Sequence, residues 1–393
     1  MLQPTPQAVP PINERLPLLF YCHDSLRFGQ SARAALVASL SSHFRITIIA
    51  EGERTPSLEQ VPQIEIVGLP SPASFSARSV RRHILMDTYR RVDPAVVVIE
   101  QYPFGCRELS DDVVALLEAA AANPRTRLVA CSVVETLVDL PFEAPRADDP
   151  VQRLADRYFD VVLVHADARL GRLEDAFDPQ SLRVPVLYTG FIGTGASGDT
   201  PDPLVSRPAI VISCDGARPD VALFRAALSA CDQWLPRERL PLRIIAGPAL
   251  PDRDLAALQA EAIRRVDVVV ERGADDLVAS AHTVAVSVND GACDTVFEML
   301  RAGVPSLVVV GGWGDDERAE WAHRLAALGI VALLERDHLS GAALAAEISA
   351  TMVKAPPHVD INRSGAKETL RLLARLADPA GMYVHAAVRA EAV

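Results

Sequence analysis

Short runs of aliphatic residues recur along the chain, and stretches with helical spacing separate them. The first half contains LPLLFYC, RITIIA, AVVVIE, RLVACSV and DVVLVHA, and the second half contains PAIVISC, PLRIIAG, DVVVE, TVAVSV, PSLVVV and IVALL. These runs are continuously apolar rather than alternating, which is typical of parallel strands buried on both faces of a sheet. The pattern therefore predicts an α/β fold with two doubly wound, Rossmann-like domains.

The boundary between the domains is predicted in GTGASGDTPDPLVSRP, where Gly, Pro, Ser and Asp cluster. The chain then divides into a flexible N-terminal segment (1–15), a first domain (16–192), a linker (193–208), a second domain (209–366) and a C-terminal helix with a tail (367–393). The linker contains a G-x-G-x-x-G pattern, but its prolines oppose the helix that a dinucleotide-binding loop requires directly afterwards. We therefore interpret this pattern as linker.

Length and composition limit the classes of function. A chain of 393 residues exceeds what one hydrophobic core usually serves, and its net charge of -12 argues against nucleic acid as a general partner. The six cysteines have no paired close spacing, which favours reduced thiols. The N-terminus lacks the pattern of a secretory signal, and no apolar run is long enough to span a bilayer. We expect a cytoplasmic protein without a transmembrane segment.

A glycine turn in the second half is the first candidate for binding chemistry. The segment SVNDGACDTVFEMLRAGVPSLVVV predicts a strand up to Val288, a helix over Asp294 to Ala302 that stops at Gly303, and a further strand. The turn follows the carboxyl end of a parallel strand, where open α/β sheets bind ligands and where the first amides of a helix can bind an anion. Plain structure and anion binding both remain compatible with this pattern.

Several motifs occur in a characteristic order. The second half contains IIAGPALP, NDGACDT, EMLRAGVPSLVVV and DDERAEWAHRLAALG, and the first half contains YCHDSLRFGQSARAALVASL, IEQYPFGCREL, LVHADARL and LYTGFI. Together they resemble the GT-B glycosyltransferases, specifically the peptidoglycan N-acetylglucosaminyltransferase-like group and its glycosyltransferase relatives, of which this chain looks like a divergent member. The resemblance implies a GT-B fold, in which two Rossmann-like domains face a cleft.

The resemblance also implies a function and a donor site. It implies a glycosyltransferase that moves a sugar from a nucleotide diphosphate sugar, with UDP-sugar favoured, to a small-molecule or glycan acceptor with inversion. No metal or other cofactor is required. By this resemblance Gly216, Gly291 and Thr295 would contact the nucleotide and its diphosphate, Glu298 would accept from the ribose hydroxyls, and Glu317 would lie near the sugar. Thr295, Glu298 and Glu317 are also ordinary residues for the start or the surface of a helix.

Candidate proton acceptors follow the strands of the first domain. His23 and Asp24 come directly after the first strand and Glu100 ends another, so we expect them at the catalytic edge of the sheet. Glu135 and His165 are weaker candidates for the same edge. His23 and Asp24 could equally be strand-end and turn residues.

The acceptor contacts are predicted elsewhere in the first domain. Gln30 stands where the family has histidine, and glutamine can form hydrogen bonds but cannot act as a base. Arg81 and Arg82 belong to the basic segment ARSVRRHILMDTYRRVD, which predicts either contacts to an anionic acceptor or, more commonly, a solvated helix face.

Acidic residues near the predicted diphosphate distinguish this chain from the family. Asp215, Asp290 and Asp294 would all lie close to the phosphates, and Asp294 could occupy the positive end of the helix itself. Either the donor site has moved, or the acids recruit a cation such as Mg²⁺, or the protein is a non-catalytic GT-B protein that binds a metabolite or a partner. A sugar-nucleotide epimerase is a further alternative with the same architecture.

Overall fold

The structure is a computed structural model, and it describes most of the chain. The described residues are 11–22, 30–51, 58, 61–70, 75–104, 110–133, 150–169, 172–173, 182–192, 208–214, 219–233, 240–247, 249–273, 283–291, 293–301, 303–311, 316–353, 362 and 364–378. Within these ranges some side chains, including those of Gln30, Asp294, Glu298 and Glu317, are not described. The chain forms two compact units, of which the first contains Met1–Thr194 and Ile361–Val393 and the second contains Gly195–Asp360.

The first unit contains a parallel sheet with helices on both faces. Its strands are β1 (Leu16–Cys22), β2 (Phe44–Glu51), β3 (Glu65–Leu69), β4 (Val96–Glu100), β5 (Leu128–Val133), β6 (Val161–Val164) and β7 (Val186–Tyr188). Its helices are α1 (Gln30–Ser41), α2 (Phe75–Val92), α3 (Ser110–Ala122), α4 (Pro150–Tyr158) and the C-terminal α10 (Gly365–Ala377). The strand order is β3-β2-β1-β4-β5-β6-β7. All of these pairings are parallel.

The apolar strands of this sheet are buried on both faces. In β4, Val97 and Ile99 pack into the layer that contains α2, α3 and α4, whereas Val96 and Val98 pack into the layer that contains α1 and α10. This arrangement explains why the strands are continuously apolar, since both sets of alternating side chains need an apolar environment.

The second unit repeats the same design with a smaller sheet. Its strands are β8 (Ala209–Ser213), β9 (Leu242–Ile245), β10 (Val268–Glu271), β11 (Val284–Asn289), β12 (Ser306–Val310) and β13 (Ala332–Glu335). Its helices are α5 (Val221–Ala230), α6 (Asp252–Ala262), α7 (Cys293–Arg301), α8 (Asp316–Ala327) and α9 (Gly341–Val353). The strand order β10-β9-β8-β11-β12-β13 is that of a classical Rossmann sheet. The prediction of two doubly wound domains is confirmed.

The elements around the glycine turn closely match their prediction. The strand and helix expected there are β11 and α7, and Gly303 ends α7 with φ +72°. The N–H of Gly303 donates to Leu300 O at 3.1 Å and that of Val304 to Met299 O at 2.8 Å, which completes the helix end.

The C-terminal helix belongs to the first unit. The second unit ends at Asp360, and α10, which the sequence assigned to neither domain, packs against α1. Leu373 and Leu376 of α10 are buried with Leu36 and Leu40 of α1. The helix packs there because this face of the first unit would otherwise expose its apolar side chains to water.

Candidate functional site

The strand order of the second sheet indicates the edge at which a ligand would bind. The chain runs from β8 outward through β9 and β10, and then returns to place β11 on the other side of β8. Open α/β sheets bind ligands at the carboxyl ends of the strands where the order reverses in this way. In this unit that switch point lies between the ends of β8 and β11, at Ser213 and at Asn289 to Gly291.

The turn after β11 has the conformation that its glycine predicts. Gly291 is buried and has φ +80°, a region that glycine occupies without strain. Its N–H donates to Oδ1 of the buried Asn289 at 3.0 Å, and Asn289 Nδ2 donates to Ser287 Oγ at 3.2 Å. The turn is therefore held by its own side chains. The Gly291 N–H, which could otherwise donate to a phosphate, already has an acceptor inside the protein.

Helix α7 begins directly after this turn. Thr295 is half-buried in its first turn, while Val296 and Met299 face the core. The backbone of α7 also contains Asp294 and Glu298, and α8 contains Glu317 in its first turn. Asp290 is half-buried at the turn, whereas Asp215 and Gly216 lie outside the described residues. The donor roles of Gly216, Gly291, Thr295, Glu298 and Glu317 stay predictions.

Ser213, the last residue of β8, carries an unsatisfied hydroxyl at the switch point. Its Oγ is one of three buried side-chain polar atoms without a hydrogen-bond partner in the part of the chain that the structure describes, and the residue is only 3% exposed. An unsatisfied buried hydroxyl costs about 1–3 kcal/mol, so such a group calls for an explanation. By the alternation along β8, Ser213 points to the same side as Val211, which packs with Met299 of α7.

An ion pair at the same edge was not found by sequence reasoning. Asp220 is the N-cap of α5 and accepts from the N–H of Leu223 at 3.0 Å. Its other oxygen accepts from Arg336 Nη2 at 2.5 Å, and Arg336 Nε donates to the carbonyl oxygen of Gly311. The only sequence signal for this contact is that Arg336 directly follows the strand β13, because the two charged residues are 116 positions apart.

In the first unit, Glu100 forms a buried ion pair. The Nε of Arg33 donates to its Oε1 at 2.9 Å and Nη2 to its Oε2 at 2.8 Å, and both side chains are less than a tenth exposed. Burial, and next the Glu100 carboxylate, raises the pKa of the neighbouring Cys22 and Cys131 thiols. Guanidinium nitrogens thus contact both carboxylate oxygens of Glu100, and its catalytic role stays a prediction.

His165 is also part of the core rather than an accessible base. It is 2% exposed, with Nε2 2.9 Å from Ser132 Oγ and Nδ1 2.8 Å from Thr189 Oγ1. Burial lowers the pKa of its imidazole to about 3, so the ring is neutral at physiological pH. Thr369 of α10 contacts the same ring, with its Oγ1 3.4 Å from Nδ1.

The structure separates the two arginines predicted to contact the acceptor. Arg81 has no exposed surface, and it donates from Nε to Asp112 Oδ2 at 3.3 Å and from Nη1 to Pro70 O at 2.7 Å. It therefore lies in the core of the first unit and not on its surface. Arg82 is exposed, and the prediction of an acceptor contact now depends on this residue.

Several other candidates lie outside the described residues. His23, Asp24 and Glu135 are among them, and Gln30 is described only as the first backbone position of α1. Their predicted roles as proton acceptors or acceptor contacts stay predictions.

The described residues contain neither a metal-binding cluster nor a membrane-spanning helix. No cluster of three or more His, Cys, Asp or Glu side chains there has the arrangement of a metal site. None of the described helices combines the length and apolar character needed to cross a bilayer.

Comparisons with known proteins identify the fold. No protein-family model matches the chain, and no curated protein matches it. Among solved structures, it is similar to CalG4, the calicheamicin glycosyltransferase (TM-score 0.58, 16% identity, 96% of this chain and 98% of that chain). It is also similar to Arabidopsis thaliana UGT89C1 complexed with UDP (TM-score 0.59, 13% identity, 96% and 100%). A third similar structure is a putative UDP-N-acetylglucosamine 2-epimerase from Listeria monocytogenes (TM-score 0.59, 16% identity, 92% and 96%).

These matches extend over nearly the whole chain, and they agree with the two parallel sheets and with the resemblance of the motifs. The chain therefore has the GT-B fold.

Proposed function

We propose that this protein is a glycosyltransferase that moves a sugar from a nucleoside diphosphate sugar to a hydroxyl group of a small-molecule or glycan acceptor, with inversion. The fold, the collinear motifs and the Rossmann order of the second sheet support this proposal. The similar structure that contains UDP favours a UDP-sugar as donor.

The observation that carries the proposal is the unsatisfied hydroxyl of Ser213 at the switch point. It lies at the end of β8, beside the strand whose glycine turn leads into α7. A phosphate or ribose oxygen at this position would supply the missing hydrogen-bond partner. The same edge also provides the α7 N-terminus, which favours negative charge.

The proposed chemistry needs no covalent intermediate. A base removes the proton from the acceptor hydroxyl, the hydroxyl oxygen attacks the anomeric carbon, and the nucleoside diphosphate departs. Since Glu100 and His165 are buried in internal contacts, His23 and Asp24 are the proposed base. A divalent cation such as Mg²⁺ could neutralise Asp290 and the neighbouring acids at the diphosphate.

A second candidate function is epimerisation of the donor sugar. It is favoured by the similarity to the putative UDP-N-acetylglucosamine 2-epimerase. Sugar transfer requires an acceptor, whereas an epimerase changes the donor without one.

The first test is nucleotide binding. Thermal-shift and calorimetric titrations with UDP, GDP, TDP and their sugars, each with and without Mg²⁺, should identify one nucleotide that raises the melting temperature. Mass spectrometry of the donor after incubation without acceptor then separates the two enzymes, since only an epimerase forms a new sugar nucleotide. Absence of binding by any of these nucleotides would favour the non-catalytic alternative and overturn the proposal.

A pair of serine variants tests the location of the site. Ser306 resembles Ser213, because it is 4% exposed and its Oγ also lacks a partner, but it lies at the opposite, amino end of β12. Loss of one neutral hydrogen bond should make Ser213→Ala bind the nucleotide about 2- to 10-fold more weakly. Ser306→Ala should bind like the wild type. Equal affinities of the two variants would show that the Ser213 hydroxyl does not contact the donor.

A further inference from the structure

Arg336 links the ends of two strands to the start of a helix at the carboxyl edge of the second sheet. It follows β13 directly, its Nε donates to the carbonyl oxygen of Gly311 after β12, and its Nη2 donates to Asp220 at the start of α5, the helix that follows β8. Gly311 has φ +90°, and a Cβ added there would be in ordinary van der Waals contact with Cβ of Arg336, at 3.7 Å. The left-handed backbone, rather than a lack of space, therefore explains the glycine at this position.

The sheet order places the guanidinium close to the switch point. β11 lies between β8 and β12. A side chain that reaches from the end of β12 to the helix after β8 therefore lies beside the end of β11, where the turn of Gly291 begins. The Arg336 side chain is 30% exposed, so it has access to solvent at this edge.

The backbone amides at this edge are less available than the fold suggests. The N–H of Leu223 in the first turn of α5 is bonded to Asp220, and the N–H of Gly291 is bonded to Asn289. A diphosphate bound here would consequently need a cation as well as helix ends.

We propose that Arg336 is the residue that recognises the diphosphate of the donor, with Asp220 and Gly311 fixing the orientation of its guanidinium. This inference rests on the proposed function, because it assumes a donor at the switch point. A guanidinium has five N–H donors in a rigid plane, which suits simultaneous contacts to protein anchors and to phosphate oxygens.

The test compares ligands that differ only in phosphate. Calorimetry would measure UDP, UMP and uridine, or the corresponding series if the nucleotide panel identifies GDP or TDP. Arg336→Gln should raise the Kd for the diphosphate by about tenfold to about a hundredfold, because a charge-assisted contact is lost, and the Kd for the nucleoside should stay within about twofold. Arg336→Lys keeps the charge but loses the planar fork, and its Kd for the diphosphate should lie between those of the wild type and the Gln variant.

Arg272 provides a matched control. It lies at the same edge after β10, is 35% exposed, and donates to the carbonyl oxygen of Leu250 and to Asp252 at the start of α6. Because β9 separates it from the switch point, Arg272→Gln should bind all three ligands like the wild type.

The outcomes separate this inference from the proposed function. A wild-type protein that binds no nucleotide would overturn both. A wild type that binds the diphosphate, together with an unchanged Kd in Arg336→Gln, would overturn the role of Arg336 alone. An equal loss of affinity for the diphosphate and the nucleoside would also overturn it, since that result indicates a structural role. If Arg336→Gln does not fold, the Lys variant decides, and it should weaken diphosphate binding but not nucleoside binding.

Discussion

Gly365, the first residue of α10, gives the sharpest test of how the C-terminal helix is attached. A Cβ at this position would lie 2.2 Å from the carbonyl oxygen of Gly190 and 2.8 Å from the carbonyl carbon and oxygen of Phe191. The N–H of Gly365 also donates to Phe191 O at 3.1 Å. These are backbone atoms, so the methyl group of Gly365→Ala cannot be accommodated by a side-chain rotation.

The magnitude follows from two opposing terms. In an ordinary helix, Gly→Ala stabilises by about 0.5–1 kcal/mol. Here overpacking should cost about 1–3 kcal/mol, and displacement of the Phe191 carbonyl should weaken a hydrogen bond worth about 1 kcal/mol. The expected net result is a loss of roughly 2 kcal/mol in the free energy of unfolding of the first unit, opposite in sign to the helix propensity.

The assay must report on each unit separately, because a two-unit chain need not unfold in one step. Hydrogen exchange measured by mass spectrometry should show faster exchange in peptides from α1 and α10, with α6 and α9 unchanged. Gly68→Ala in β3 is the matched control, since no heavy atom lies within 4 Å of its added Cβ. A Gly365→Ala protein as stable as the wild type, or more stable, would refute this account of the α10 attachment.

Three further predictions concern stability. Because burial lowers the pKa of His165 to about 3, the unfolded chain binds its proton at higher pH than the native protein, so stability is complete above about pH 6.5 and falls as the pH decreases toward about 3. Between about pH 7.5 and about pH 5, the wild type should lose roughly 2 kcal/mol more of its free energy of unfolding than the His165→Gln variant, as measured by urea denaturation. The same pH dependence in both proteins would contradict this. Glu100→Ala should lower the free energy of unfolding by about 3–5 kcal/mol because Arg33 loses its buried partner, and the combined Arg33→Met and Glu100→Leu protein should recover most of that loss. Leu373→Ala should cost about 2–5 kcal/mol in chemical denaturation, whereas Leu328→Ala, at a residue 52% exposed, should cost far less, and similar losses would argue against the packing of α10.

The sequence determined the architecture of both sheets. Continuous apolar runs between helices indicated parallel strands, and the glycine turn, the helix and its stop at Gly303 were located to within a residue or two because their signals are local. The sequence did not place the C-terminal helix. Its apolar stripe indicates that one face is buried, but not which surface it covers, and only the packing of Leu373 against α1 decided that.

Some features of the candidate site were likewise predictable from the sequence, and others were not. The positions of Gly291 and Thr295 were predictable because the turn and the first turn of the helix follow a strand, and strand ends in a Rossmann sheet share one edge. Arg81 and Arg82 are adjacent and identical residues that the sequence alone does not distinguish, but helical geometry buries the first and exposes the second. The ion pair between Arg336 and Asp220 joins residues 116 positions apart, and that of Arg33 with Glu100 joins residues 67 apart. Local sequence patterns determine which helix or strand forms. Which charged side chains form ion pairs depends on how the helices and strands pack together, and only the tertiary structure determines this packing.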